Sequence, residues 1–466
     1  MSGRWPAYVA REAVLADLET AIAATPHALD TRFYRASFLR DHGRLDAAID
    51  AFADILAAAP THVETLVAYA AALAKRGRRL EAREHLASAV RQDPAHYVAI
   101  VSLANLLALD EPERAAALYA DAIAIAPGRE AAHRGACSLA AARGDHAGAA
   151  AHRAAGYRRG PFAPRAYYGD RAPIPALALV STDGGNLAIE TLLDPQRFAV
   201  HECFVEIYRD EPLPVHALIV NSIADADRAA AALPIAEHIV AGARGPVLNP
   251  PSSVAASGRV ANAMRLRDLP DVVAPDAWYA RDRAPEAFPV IVREPGVHMG
   301  RGMHRIDDRA AYERARVRDD AIAIDYVETR STDGAWRKYR VMCLGGALFP
   351  LHLAIAHRWN VHYFSSAMWE NAAYRAEEAA FLREPIGAIG ARAWAALERI
   401  CAVLALDYAG IDFSLDAEGR VVVFEANAAM AVLPPDRDER FAYRRAAAEE
   451  IERAIASLVR AETGRP

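Results

Sequence analysis

Three residues near the C-terminal end have types and spacing suited to chemistry on a phosphate. The segment DYAGIDFSLDAEGRVVVFEANAAM spans residues 407–430, with Asp412, then Glu425 thirteen positions on, then Asn427 two further. Two β-rich runs meet at a turn, Ala417-Glu418-Gly419. Residues two apart on a strand face the same side, so Glu425 and Asn427 project together, and a hairpin brings Asp412 alongside. Two carboxylates and one amide oxygen then converge with no cation close in sequence. Magnesium is the natural compensation, since it prefers hard oxygen ligands and leaves positions for phosphate oxygens.

The elements upstream that would position such a site follow in order. FPVIVREPGVHMGRGM (288–303) reads as a strand, a basic residue and a glycine-rich loop with Gly296, Gly300 and Gly302. Backbone N–H groups of such a loop can wrap phosphates. AIAIDYVE (321–328) ends a strand, and WRKYRVMCLGGALFPLHLAIAHRW (336–359) gives two strands flanking Gly345–Gly346. Lys338 and Arg340 alternate onto one face of the first of these. His352, His357 and His362 invite a zinc reading, but His352 and His357 differ by an odd number and point to opposite sides of a strand. A lid or substrate contact is the better expectation.

Over roughly residues 175–460 this series resembles the ATP-grasp enzymes, and is similar to peptide–glutamate ligases, glutathione synthetases and D-alanine–D-alanine ligases. The resemblance implies Asp412, Glu425 and Asn427 as ligands of one or two Mg2+ ions, with Mn2+ as a substitute. It implies Arg293 and Arg259 at positions where the family usually has lysine, Arg259 lying in SGRVANAMRLRDLPDVVAP (257–275). Both departures keep the charge and change the donor geometry. Asp325, Tyr326 and Val327 are implied to frame the adenine of ATP, Glu328 to meet the ribose, and Lys338 to help bind the nucleotide. Arg340 and Arg358 are implied as clamps on a phosphate or carboxylate. The chemistry implied is attack of a substrate carboxylate on ATP, then capture of the acyl phosphate by an amine. A kinase of the same fold and a non-catalytic repeat scaffold with a degenerate nucleotide domain are the competing readings.

The preceding part of the chain is different in texture. Pro60, Pro94, Pro127 and Pro161 recur at 34, 33 and 34 residues, and Gly43, Gly77 and Gly144 keep the same phase. Asp110–Glu111 takes the place of the missing glycine turn. Twelve residues before each proline stands Ala48, Ala82, Ala115 or Ala149, and Ala36, Ala70, Ala104 and Cys137 form a second small series. Phe52, Leu86 and Tyr119 lie eight before the prolines, where the last repeat has Arg153. A period near 34 predicts helical hairpins stacked as a solenoid, with small residues where paired helices cross. Over residues 27–161 the pattern resembles tetratricopeptide repeats, which implies a groove for a peptide or protein. Arg32, Tyr69, His96 and His133 are candidates to line it, with a plain solvated face as the alternative for each.

The expected fold is thus multidomain, an all-α tetratricopeptide-like solenoid followed by an α+β/α/β ATP-grasp fold with a preceding small βαβ domain. The expected boundaries are residues 1–162 for the repeats, 163–174 for a linker, 175–250 for the small α/β domain, 251–328 for the smaller ATP-grasp subdomain and 329–460 for the larger one. HALIVNSIADADRAAAAL (216–233) places an asparagine and aspartates after a strand, at the carboxyl edge of the small domain's parallel sheet. A charged fraction of 24% and a net charge of −6 spread along the chain give no basic footprint for nucleic acid. No apolar signal core or membrane-length apolar run is present in the sequence, so a cytoplasmic protein away from membranes is expected. Cys137, Cys203, Cys343 and Cys401 form no close pair and are expected to be reduced thiols.

Overall fold

The computed structural model describes residues 11–294, 302–363, 366–432 and 438–463. Its chain divides into two compact units, residues 1–177 with 193–216, and residues 178–192 with 217–466. The first unit is built on helices α1 (Arg11–Ala24), α2 (Leu29–Asp41), α3 (Leu45–Ala58), α4 (Val63–Lys75), α5 (Arg79–Gln92), α6 (Tyr97–Leu107), α7 (Pro112–Ile125), α8 (Glu130–Ala142) and α9 (His146–Gly156). From α2 onward they form four hairpins. Gly43, Gly77 and Gly144 sit in the turns of the first, second and fourth with φ of +77°, +82° and +74°, conformations that cost other residues strain. In the third, the Asp110 and Glu111 amides both donate to the Leu107 carbonyl.

The small series is fully buried, as close helix crossing requires: Ala36, Ala48, Ala70, Ala82, Ala104, Ala115 and Cys137 have no exposed surface. Phe52, Leu86 and Tyr119 are buried between hairpins. Tyr119 fits because Gly135 has no side chain; a Cβ there would stand 2.4 Å from the tyrosine ring. The candidate groove residues each have local contacts or partial burial. Tyr69 is buried with its ring 4.6 Å from that of His85. His96 caps α6 by accepting from the Ala99 amide. His133 bonds His152 through their Nδ1 atoms at 3.1 Å, and Arg32 is half-buried.

Three strands follow: β1 (Phe162–Pro164), β2 (Ile174–Val180) and β3 (Phe198–Phe204). Within the first unit they run in the order β1-β3-β2, β1 antiparallel to β3. Phe204 meets Tyr157 edge-to-face at 4.6 Å, and Gln196 Nε2 donates to the His42 carbonyl, so this sheet is fastened to both the first and the last hairpin. The segment 163–174, expected as a plain linker, therefore holds most of β1 and the start of β2. Residues 193–216, expected in the small α/β domain, pack with the helices.

The second unit holds the end of β2, then β4 (Leu218–Asn221), α10 (Ala232–Ala241), β5 (Val247–Leu248), α11 (Pro251–Ala255) and α12 (Arg259–Leu266). Here the strand order is β2-β4-β5, with β4 parallel to β5. Next come β6 (Val272–Val273), β7 (Ala277–Tyr279), β8 (Val290–Arg293), β9 (Met303–Ile306), α13 (Arg309–Arg314) and β10 (Ile322–Asp325). Strands β7, β10, β8 and β9, in that order, form an antiparallel sheet. The last group is β11 (Trp336–Leu344), β12 (Ala347–Ala356), α14 (Ala372–Arg383), α15 (Pro385–Ile389), α16 (Ala391–Leu404), β13 (Tyr408–Leu415), β14 (Val421–Asn427) and α17 (Arg445–Thr463). A second antiparallel run, β12-β11-β13-β14, carries β6 as a parallel edge strand. Asn249 joins β5 to this sheet, its side chain bonding both the amide and the carbonyl of Tyr408 at 2.9 Å.

Cys343 on β11 and Cys401 on α16 are joined as a disulfide, with Cα atoms 6.0 Å apart. This corrects the expectation of four reduced thiols; the partners are 58 residues apart in sequence, and only helix-on-sheet packing brings them together. Cys137 and Cys203 are buried and take no part in this disulfide.

The larger sheet is backed by a buried ion pair. Glu378 of α14 is fully buried and takes Arg444 Nη2 at 2.5 Å and the Tyr443 hydroxyl at 2.5 Å. The rings of Phe441 and Tyr363 flank the guanidinium at 4.1 and 4.8 Å. Removing one partner of such a pair leaves an uncompensated buried charge. Glu378→Ala is therefore expected to lower the unfolding free energy by about 3–5 kcal/mol, measured by denaturant titration, while Glu378→Gln loses less because it keeps hydrogen-bonding capacity.

Candidate functional site

The hairpin β13–β14 turns at Gly419, whose φ is +73°. Its register sets Asp412 directly opposite Glu425 and Gly410 opposite Asn427. Asn427 Nδ2 donates to Glu425 Oε1 at 2.8 Å, so the two side chains do share a face. The row continues beyond the hairpin. Arg340 on β11 lies opposite Asp412, and His352 on β12 lies opposite Arg340. Four chemically active side chains thus line up across four strands. Register breaks fall next to the row, between Arg340 and Val341 and between Asp412 and Phe413, the kind of irregularity that re-aims side chains at sites.

The carboxylates are already compensated. Arg340 Nε and Nη2 reach the two oxygens of Asp412 at 2.5 and 2.8 Å, and Lys338 Nζ lies 3.1 Å from Oδ2. Burial alone would raise the Asp412 pKa; Arg340 and Lys338 overcome it and hold the carboxyl well below the usual range. Arg340 is held charged in return, burial opposing and Asp412 prevailing. His352 is pushed well below its ordinary 6.5, first by burial and then by the Arg340 charge. Its Nε2 is buried and has no hydrogen-bond partner among the described residues.

A second charge group stands at the other carboxylate. Arg259, first residue of α12, sends Nη1 to Asp227 at 2.7 Å and Nη2 to Glu425 Oε1. Burial works against the Arg259 charge, and Glu425, Asp227 and Asp225 outweigh it to raise the pKa. Arg293, at the end of β8, is lowered to about 10 by burial and by the nearby Arg259 charge. Asp227 stands in the loop after β4. Asp225 shapes that loop by accepting from the Asp227 and Arg228 amides. The sequence places aspartates at this sheet edge, but the partner of Asp227, Arg259, lies 32 residues on and is brought to it only by the fold.

A pocket opens between the two antiparallel sheets of this unit, lined by Arg259, Asn262, Ala277, Ile324, Glu425 and Asn427 among others. Asn262 fixes α12 against β14 by donating to the Ala426 and Ser257 carbonyls at 2.6 and 2.9 Å. Its Oδ1 is buried without a hydrogen-bond partner among the described residues. Asn262, Glu425 and Asn427 bring hard oxygen donors to the lining of this pocket, the type a hydrated divalent cation takes, and among the described residues no group of three or more His, Cys, Asp or Glu is placed to hold a metal ion. The electrostatic reason given from sequence needs correcting, however. Compensation of the carboxylates comes from Lys338, Arg340 and Arg259, so no dication is required to balance them.

The remaining expected residues fall as follows. Asp325, Tyr326, Val327 and Glu328 end β10 and lead out of it. Burial, then Asp276, raises the Asp325 pKa. Tyr326 lies under Arg305 at 4.3 Å and meets Trp359 edge-on at 6.2 Å. Glu328 accepts from Trp336 Nε1, the Arg330 amide and the Tyr326 hydroxyl at 2.9, 2.9 and 3.2 Å. Those bonds hold the ribose candidate in a local network. Arg358 is exposed, two residues past β12. Gly302 adopts φ +55°, while Gly296 and Gly300 lie outside the described residues.

The Asp412 pKa is lower in the folded chain than its ordinary 3.8, so the native state binds fewer protons than the unfolded one in acid. Its stabilising contribution is complete above the ordinary value and is lost as pH falls toward the folded value. Asp412→Asn is expected to destabilise the protein by about 3–5 kcal/mol at pH 7, where it strands two buried cations. That deficit relative to wild type should shrink below about pH 4, as read from denaturant midpoints across pH.

Comparison with known proteins bears on the helical unit. The tetratricopeptide repeat model matches residues 39–105. Solved structures similar to this region include MamA from Desulfovibrio magneticus, at 22% identity over 30% of this chain and 81% of that one with a TM-score of 0.29. A tetratricopeptide repeat protein of Thermus thermophilus matches at 19% identity over 32% and 82%, TM-score 0.29. PilF of Pseudomonas aeruginosa matches at 16% over 32% and 69%, TM-score 0.30. No curated protein matches the chain. Among the described residues no helix is long and apolar enough to cross a membrane. The N-terminal part is a tetratricopeptide repeat array, a module that points to a protein partner.

Proposed function

We propose that the second unit is an ATP- and Mg2+-dependent carboxylate–amine ligase of the ATP-grasp type, acting on a peptide or protein recruited by the repeats. The observation that supports this most is the row Arg340–Asp412–Glu425 with Lys338, Arg259 and Asn427, of which Arg259, Glu425 and Asn427 line a pocket between two antiparallel sheets. A magnesium ion held by Asp412, Glu425 and Asn427 would supply charge neutralisation on the phosphates. Lys338, Arg340, Arg259 and Arg293 are the chain's own cations for the same anion. Arg340 and Arg259 offer paired N–H donors that match phosphate oxygens as well as carboxylates. Arg358 joins them as a clamp on a phosphate or on the substrate carboxylate.

In the proposed reaction a substrate carboxylate oxygen attacks the terminal phosphorus of ATP. The bond to the bridging oxygen breaks and ADP leaves. An amine then attacks the acyl phosphate, phosphate departs with its bonding electrons, and the nitrogen loses a proton. No side-chain nucleophile is needed, because the cations place the anions and offset charge that grows at the transferred group.

Internal pairing of the cluster favours a second reading, in which the unit is a scaffold without nucleotide chemistry. Titration calorimetry with Mg-ATP separates the two, since a scaffold takes up no nucleotide. For the ligase, ADP release in a screen of carboxylates and amines should yield a product gaining an amide and no phosphate by mass; retained phosphate would mark a kinase. Glu425→Gln is expected to cut ATP turnover by about 10²–10³-fold while leaving the circular dichroism spectrum unchanged. Turnover at the wild-type rate would remove Glu425 from the metal site.

A further inference from the structure

We infer that the site rests in a charge-closed state that refuses a divalent cation alone and admits it only together with a polyphosphate anion. This deepens the ligase reading and rests on it for the identity of that anion.

Four of the candidate ligand oxygens, Asp412 Oδ1 and Oδ2, Glu425 Oε1 and Asn427 Oδ1, are already taken. Asp412, 4% exposed, has Oδ1 on Arg340 Nε and Oδ2 on both Arg340 Nη2 and Lys338 Nζ. Glu425 Oε1 takes Arg259 and Asn427 Nδ2. The Asn427 amide oxygen is turned to its own backbone and accepts from Ala429 N at 3.0 Å. The ion pairs set Asp227, Asp412 and Glu425 against Arg259, Lys338 and Arg340, and Asp225 and Arg293 nearby add one charge of each sign. A dication entering this group adds positive charge next to three fixed cations and must displace them from their carboxylates. Displaced from Asp412, Lys338 and Arg340 would be left buried and unpaired, the costly outcome for an ion pair, while Arg259 would keep only Asp227.

A polyphosphate changes the balance. It brings several negative charges and oxygens that accept paired guanidinium donors as a carboxylate does. Arg340, Lys338 and Arg259 can pass from carboxylate to phosphate and stay paired throughout. The released oxygens of Asp412 and Glu425 then become ligands for a cation that the anion also holds. Metal affinity is thereby made conditional on the nucleotide.

Electron paramagnetic resonance of Mn2+ tests this without turnover. Wild-type protein titrated into Mn2+ alone should leave the free-ion signal essentially unchanged at millimolar concentration. With ATP present, the same protein should bind manganese at least about tenfold more tightly. Exchanging Lys338 and Arg340 together for methionine frees Asp412 and should raise metal-only affinity while lowering affinity for ATP measured by calorimetry. Equal Mn2+ binding by the wild type with and without ATP, lost in Asp412→Asn, would overturn the closed state and leave the ligase reading intact. If neither Mn2+ nor Mn-ATP binds, the ligase reading falls and this inference with it.

Discussion

A β-hairpin that sets Asp412 directly against Glu425 must find positive charge close by, and the second unit is arranged around that constraint. Like charges opposite each other on neighbouring strands are unfavourable, the more so when Asp412 is 4% exposed. The sheet answers with order and register. β11 lies beside β13, and its Lys338 and Arg340 both reach Asp412. From the other side α12 begins at Arg259, which reaches Glu425. Helix position, strand order and loop shape thus converge on one electrostatic need. The Asn262 side chain, bonded to the Ala426 carbonyl, holds α12 where Arg259 can serve it.

Period and residue size made the helical array legible in advance. The alanines at crossing points and the glycines at φ above +70° follow from sterics local to each hairpin, so spacing alone reveals them. Groove residues were not legible in the same way. Tyr69, His96 and His133 meet partners set by three-dimensional neighbours, a ring, a helix end and another histidine. Domain edges were also obscured. Residues 193–216 lie among β-rich sequence, yet Gln196 and Phe204 are tied to His42 and Tyr157. Nothing in the local pattern announces contacts across such distances.

For the site, the hairpin itself could be read because alternation along a strand and a glycine turn are local properties. Pairing between strands could not. Lys338 and Arg340 are 74 and 72 residues before Asp412, and only the β11–β13 register shows that they neutralise it. An isolated hairpin lacks a cation for its carboxylates; inside the sheet Lys338 and Arg340 serve Asp412, and Arg259 serves Glu425. Cys343 and Cys401 illustrate the same boundary, since their spacing matches no motif and their proximity comes from α16 against the sheet.

The arginine at position 259, where the resemblance leads one to expect lysine, has a physical reason in this setting. One guanidinium addresses two carboxylates at once, Nη1 to Asp227 and Nη2 to Glu425. It therefore links the loop after β4 to β14. An ammonium is a single compact charge without a planar fork, so lysine would have to share one nitrogen between the two. Arginine's weaker hydration also lowers the cost of holding a side chain only 8% exposed. The guanidinium keeps positive charge at this position and clasps elements that must stay in register. Asp227 is its structural counterpart: together with Glu425 it gives each end of the arginine's fork a carboxylate.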